Sequence, residues 1–474
     1  MEISEIEIKQ IIEQVVEKIK INQNENRFVL DQKVKIEKTT EPGLFTNVND
    51  AVSSAEKAFE QFHLLSLKKR EGLVYAMREI ARKNIKSLAE DMKEETGLGR
   101  VEDKILKLQL AIEKTPGTED IKPFVFSGDD GLTLVERAPF GVVASITPIT
   151  NPVETIINNG IGFVASGNTS VFNPHPNSKN VCTKIVKLFN EAIISACGPP
   201  NLINTIVEPT IESAKELMHH SSIKLLVVTG GIGVVYEAMK SGKKTIAAGP
   251  GNPPVVVDET ADIPKSAQFI VKGASTDNNI ICVLEKEIIA VDSIADKLKE
   301  EMLKNNAYEI KGYDIKRLEN LVVDGDYPNK KYIGKDASYI LKQIGKNVDD
   351  NVRLIIAEVD EMHPFVQIEM LMPVIGFVRV RNVDEAIDMA KRCEHNFKHT
   401  AIMHSKNIDN LSKMAKVINT TIFVKNASSL SGIGYESEGY TSYTIAGPTG
   451  EGLTSAKTFT RERRCVLKDH FRIV

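Results

Sequence analysis

The sequence predicts an α/β protein with mostly parallel sheets, and two observations carry that expectation. From about residue 141 onward, short apolar runs of strand character alternate with amphipathic helical stretches. The first of these runs, 141–146, stops at a Thr-Pro pair, which turns a chain rather than extends a strand. Taken in order, residues 8–19 come first: Ile8, Ile11, Ile12, Val15, Val16 and Ile19 form one apolar helical stripe. Ser4 and Glu7 suit a capping box at its start, and the polar stretch 22–26 that follows reads as a linker. Residues 45–112 are helical in pattern, with Ala/Glu/Lys-rich segments at 50–62 and 68–90. The run 141–146 then ends in Thr147-Pro148, as a buried strand does. Residues 169–172 precede a helix around 181–194, and 225–228 precede one around 234–241. Residues 254–257 open a second alternating block that runs to about 440. Residues 129–136 alternate like an edge strand, and 456–467 are basic and strand-prone. Such peripheral strands often pair between subunits, which favours an oligomer.

The bulk numbers narrow the function classes. A chain of 474 residues, 42% hydrophobic and 26% charged, has room for two or three domains with sizeable cores. A formal net charge of -4 without a Lys/Arg-rich run argues against nucleic acid as a partner. No apolar stretch is long enough to span a bilayer, and no signal-peptide pattern opens the chain, so a membrane is not expected either. Cys182, Cys197, Cys282, Cys393 and Cys465 are scattered, odd in number and without metal-ligand spacing, which fits a reducing cytoplasm and no metal site.

Cys282 is the residue with the most chemical promise. It follows a stretch of small and amide residues, 273–279, and precedes the strand-like run 287–291, so its thiol is presented rather than buried. A thiolate so placed can attack a carbonyl and hold the product as a thioester. Asn151, just past the 142–146 strand, can donate its amide to a developing oxyanion, although Asn before Pro is by itself a turn-former. Thr229-Gly230-Gly231 follows a strand and opens a helix, a turn where phosphate can approach backbone N–H groups. A plain tight turn reads equally well there. Asn173 and His175 stand in a proline-bounded loop, where a lone His is usually a rigid loop residue. The loop 249–254 holds no acid or base. Glu369 is a charge in an apolar setting and needs a partner, either a ligand hydroxyl or a lysine.

As an ordered set, Asn151, the 229–233 turn, the 249–254 loop, Cys282 and Glu369 resemble the aldehyde dehydrogenase superfamily. The resemblance is nearest to the CoA-acylating branch that serves ethanolamine and 1,2-propanediol breakdown in bacterial microcompartments. It is carried by residues 94–104 (EETGLGRVEDK), 115–119 (TPGTE), 249–262 (GPGNPPVVVDETAD), the Cys282 segment, 449–452 (TGEG) and 463–467 (RRCVL), and covers the chain from about residue 28.

The resemblance implies a Rossmann-like NAD-binding domain with an α/β catalytic domain and a small β oligomerisation arm. The expected layout is a targeting helix and linker at 1–27, the NAD- and CoA-binding domain at 28–128 and 138–248, the arm at 129–137 and 456–474, and the thiol domain at 249–455. It makes Cys282 the nucleophile and Asn151 the oxyanion donor. Thr229, Gly230, Gly231, Glu369, Asn173, His175 and Pro148 become the cofactor-binding set, with Glu369 on the nicotinamide-side ribose. Asn173 falls where many members carry a lysine for the adenosine ribose or its phosphate, which favours NAD over NADP. Hydrolytic members have a water-activating glutamate where this chain has Ala248, so a thioester on Cys282 is expected to pass to CoA. The implied reaction takes a short-chain aldehyde, acetaldehyde or propionaldehyde, with NAD and CoA to acyl-CoA and NADH, reversibly. Residues 1–22 match the helices that direct cargo to microcompartment shell proteins, which implies a cytoplasmic enzyme inside such a compartment, as a homodimer or homotetramer. Departures at Ile149, Thr276, Pro250, Leu284 and Ile368 lie where aldehyde length could be set. The alternatives are a hydrolytic enzyme, disfavoured by Ala248, a catalytically silent cargo or scaffold protein, disfavoured by the intact set, and a cysteine acyltransferase without redox chemistry.

Overall fold

The computed structural model describes residues 41–474; the helix and linker expected over 1–27 lie outside them. Five strands in the first half form a parallel sheet around Val142–Ile146, with Leu44–Phe45 as a sixth at one edge. From Val142–Ile146 the chain steps outward to Thr169–Asn173 and Ile203–Ile206. It then crosses back to Ile223–Thr229 and Thr245–Ala248 on the other side. That reversal of direction leaves a crevice beyond the carboxyl ends of Val142–Ile146 and Ile223–Thr229, where open α/β sheets bind ligands. Both strands are largely apolar, Ser145 and the edge residues Lys224 and Thr229 apart, because helices cover both faces of the sheet. Ala51, Val52 and Ala55 of helix Val48–Phe62 pack on one face. Helix Pro152–Ser166, buried along its whole length, lies on the other with Leu67–Lys83 and Lys179–Ser195.

The second sheet has seven parallel strands in the order Ala307–Ile310, Leu354–Glu358, Val374–Val380, Glu287–Val291, Pro254–Val257, Thr400–His404, Ile422–Lys425. Its central strand Glu287–Val291 is fed by helix Ile263–Ser275 and a short 3-10 turn, Thr276–Asn279. Cys282 sits on the link between that turn and the strand. Asp277, Asn278 and Asn279 all take left-handed backbone (φ 47°, 54° and 65°), a run that needs outside support.

Three local expectations are revised. The helix expected over 68–90 breaks at Asn84, whose side chain turns back to donate to the Ile80 carbonyl at 2.8 Å, giving Leu67–Lys83 and Ile85–Thr96. The edge strand spans Gly131–Pro139 and pairs antiparallel with Thr460–Lys468 of the same chain, while 456–459 form a 3-10 turn. A third strand, Phe124–Gly128, joins that sheet, where the NAD- and CoA-binding domain was expected to run on to residue 128.

Candidate active site

The crevice deepens into a cavity of about 770 Å³ between the first sheet and the Cys282 loop. Every residue expected to be catalytic or cofactor-binding lines it: Cys282, Asn151, Pro148, Asn173 and His175, with Thr229, Gly230, Gly231 and Glu369. Of the five departures from the resembled pattern, Ile149 and Pro250 line the cavity, whereas Thr276, Leu284 and Ile368 do not.

Cys282 is the one cysteine in this lining, and it is half-buried, less open than the presented thiol the sequence suggests. Burial pushes its thiol up to about 12, and the nearby Glu369 carboxylate adds to the shift. The Lys286 ammonium and the backbone N–H groups of Cys282 and Val283 pull the other way. Lys286 lies under the loop, donating to the Asn279 carbonyl at 2.8 Å and to Asn279 Oδ1 at 2.5 Å. The Cys282 sulfur therefore rests as a thiol, and only a thiolate is a strong nucleophile. Carbamidomethylation of Cys282 in ligand-free protein, followed by peptide mass mapping, is expected to accelerate about tenfold per pH unit from pH 7 to 10. A rate that levels off by pH 8 would contradict a thiol held this high.

Asn151 precedes helix Pro152–Ser166, yet its side chain makes no capping bond. Its Oδ1 accepts from Lys107 Nζ at 2.8 Å, and its Nδ2 has a 3.3 Å contact with Thr150 Oγ1. A turn-forming role by itself does not account for the contact with a buried lysine. A primary amide at the wall of a cavity that also holds a thiol can stabilise an oxyanion formed at that thiol.

Gly230 and Gly231 lie at the far side. Gly230 N–H donates to the Ala248 carbonyl at 3.1 Å, and Gly231 immediately precedes helix Ile232–Lys240. A Cβ on Gly231 would meet nothing within 4 Å, so the protein's own packing does not demand glycine there, and the bare backbone leaves room for a phosphate to approach. Thr229 Oγ1 is engaged with Thr444 Oγ1 at 3.0 Å. The Asn173 amide is also engaged, accepting from Ser213 Oγ at 2.6 Å, and burial holds the His175 imidazole below its ordinary value. Lys215 is the one Lys or Arg of the lining. Glu369 is raised by burial, opposed by Lys286 and by a hydrogen bond from the Gly251 N–H. Gly251 cannot be larger: a Cβ there would stand 2.8 Å from the Cys282 carbonyl and 2.9 Å from the His399 ring. Ala248 ends strand Thr245–Ala248, so no carboxylate is offered at that position.

Sequence reasoning missed the residues that support this site. Asp277, fully buried, accepts from Arg100 N at 2.7 Å, Lys104 Nζ at 3.1 Å and Lys107 Nζ at 2.7 Å. Gly99 (φ 68°) is pressed so closely on Asp277 that a Cβ would collide with its carboxylate. The motif at 94–104 thus acts as a cradle for the turn that leads to Cys282. A signal for it existed: Lys104 and Lys107 share the buried face of helix Val101–Lys114 with Leu108 and Ala111, where lysine has no business without a partner. His399, buried against Gly251 with its pKa lowered to about 4 by desolvation, is a neutral imidazole near the thiol loop, and no local pattern announces it.

Comparisons with known proteins agree with this arrangement. Residues 35–315 match the aldehyde dehydrogenase family. The chain is 50% identical over 444 residues to an acetaldehyde dehydrogenase (acetylating) of Bilophila wadsworthia, covering 91% of each. The crystal structure of a Rhodopseudomonas palustris propionaldehyde dehydrogenase, with bound CoA and an acylated cysteine, superposes with a TM-score of 0.89. It is 48% identical, over 91% of this chain and 99% of that one. A propionaldehyde dehydrogenase from the fucose utilisation microcompartment of Clostridium phytofermentans gives a TM-score of 0.90 at 47% identity, over 92% and 100% of the two chains. With its thiol, amide and glycine turn converging on one crevice, this chain belongs to the aldehyde dehydrogenase family.

Proposed function

We propose that this protein is an NAD-dependent, CoA-acylating aldehyde dehydrogenase acting on short-chain aldehydes. The observation that supports it best is the convergence of Cys282, Asn151 and the Gly230-Gly231 turn on one cavity, with alanine at 248. The Cys282 thiolate adds to the aldehyde carbon, and the Asn151 Nδ2–H, with the Cys282 backbone N–H, takes the charge that develops on oxygen. Gly230-Gly231 would hold the pyrophosphate of NAD and Glu369 its ribose, and the bound nicotinamide would supply the hydride acceptor. Loss of that hydride leaves an acyl thioester on Cys282. Water attacks a thioester slowly without a general base, whose help is worth on the order of 10²–10⁴-fold. The CoA thiol is more acidic than water and is nucleophilic as its thiolate, so it takes the acyl group and returns the sulfur of Cys282. The balance is aldehyde, NAD⁺ and CoA to acyl-CoA, NADH and a proton. Lys215 can meet a phosphate of either nucleotide, and the absence of lysine at Asn173 supports NAD. His399 is a neutral base close to the thiol loop.

The test is NADH formation by the purified full chain from C2 to C4 aldehydes, each with and without CoA. Sustained NADH with CoA and no more than one equivalent per site without it is expected. Equal sustained rates with release of free acid would instead identify a hydrolytic enzyme.

The same reading extends to assembly. Residues 1–22 are assigned to a microcompartment shell protein, on the strength of their apolar stripe and the microcompartment origin of the Clostridium relative. The exposed Phe124, Val125, Phe126 and Val466 of the antiparallel sheet suit a homo-oligomeric contact, in a dimer or tetramer.

A further inference from the structure

Lys107 reaches the heart of the site from a helix, Val101–Lys114, that contributes no residue to the cavity lining. Its ammonium is fully buried and has four oxygens around it: Asp277 Oδ2 at 2.7 Å, Asn151 Oδ1 at 2.8 Å, Glu154 Oε1 at 3.0 Å and the Thr150 carbonyl at 3.5 Å. With Lys104, also buried, the group holds two cations and two carboxylates, so it is balanced in charge. Burial works against the Lys107 charge, but Asp277 and Glu154 outweigh it and keep the ammonium above its ordinary value.

An ammonium has only donors, so it can face an amide only through the amide oxygen. With Oδ1 of Asn151 fixed on Lys107, Nδ2 is turned from the ammonium; one of its hydrogens has Thr150 Oγ1 at 3.3 Å, which leaves the other for the cavity that Asn151 and Cys282 both line. The flipped amide would set N–H groups against an ammonium in a dry site and leave the oxygen facing the oxyanion. Polarisation by the cation also makes the amide N–H a stronger donor. The same ammonium grips Asp277, five residues before Cys282, so one charge ties the oxyanion donor to the loop of the nucleophile.

We propose that Lys107 is a positioning residue that locks the Asn151 amide with its N–H toward the reacting carbonyl and holds it in register with the Cys282 loop. The inference rests on the acylating reading above, in which Asn151 is the oxyanion donor.

The experiment is a double-mutant cycle on full-length protein, read as the rate of the first NADH turnover without CoA. Lys107→Met is expected to slow that step by about tenfold or more while the KM for NAD stays within about twofold. In an Asn151→Ala background the same change should cost less than about twofold, since there is no amide left to orient. Lys107→Met/Glu154→Gln keeps the cluster neutral and serves as the test should the single variant not fold; the same pattern is expected of it. Equal losses in both backgrounds would mean a structural role and would overturn the proposal, as would a loss below twofold with Asn151 intact. Should Asn151→Ala alone leave the first turnover unchanged, the oxyanion reading fails and the clamp with it. A slow Asn151→Ala beside a fast Lys107→Met removes the clamp alone.

Discussion

Replacing Cys282 by alanine is expected to abolish NADH formation from aldehyde, in the first turnover as well as in later ones. The loss should be on the order of 10⁴-fold or more, the scale seen when a covalent nucleophile is deleted. No other thiol can substitute. Cys182 and Cys393 are buried in the hydrophobic cores, and Cys197 and Cys465 are exposed outside the cavity. The substitution removes a single sulfur from a half-buried position, and the loop keeps its other anchors: Lys286 on Asn279, and the residues from Gly99 to Lys107 around Asp277. Folding and NAD binding should therefore persist, and NAD titration of the variant by fluorescence is the control. A residual first-turnover rate above about a hundredth of wild type, with NAD binding intact, would mean that hydride leaves the aldehyde without a thiohemiacetal on Cys282. That would remove the basis for CoA as acyl acceptor.

The sequence made the strands and the cavity walls legible for a simple physical reason. Strands buried on both faces read as short unbroken apolar runs, so Pro254–Val257 and Glu287–Val291 stand where the pattern put them. Helix ends were less visible: the stop at Asn84 depends on one side chain choosing the Ile80 carbonyl, and residues 68–90 otherwise favour helix on both sides. At the site, the residues facing the cavity were found because glycine turns, an amide after a strand and a thiol in a small-residue loop are chemically conspicuous. The residues behind them were not. Asp277 looked like one more polar residue, because what holds it comes from Gly99 to Lys107, more than 170 positions earlier. Glu369 was left between a ligand hydroxyl and a lysine. The structure supplies the Gly251 N–H and the charge of Lys286.

Asn151→Ala is expected to lower kcat by about 10²–10³-fold, roughly 2.7–4 kcal/mol of lost transition-state stabilisation, with little change in KM for the aldehyde. The direction follows from when the interaction strengthens. A ground-state carbonyl draws weakly on the Nδ2–H, whereas the tetrahedral oxyanion carries nearly a full charge in a cavity walled by Ile149, Ile281 and Val283. The protein should tolerate the change. Asn151 makes no side-chain capping bond, and helix Pro152–Ser166 starts with proline, so the helix loses no cap. Lys107 loses one acceptor but keeps Asp277 at 2.7 Å and Glu154 at 3.0 Å, so its charge stays compensated. The first NADH turnover and the later CoA-dependent transfer should both slow, because each passes through a tetrahedral oxyanion at Cys282. Rapid-mixing measurements can separate the two steps. If only the hydride step slows while transfer to CoA runs at the wild-type rate, the second oxyanion is met by another donor, and the backbone N–H of Cys282 alone would have to carry it.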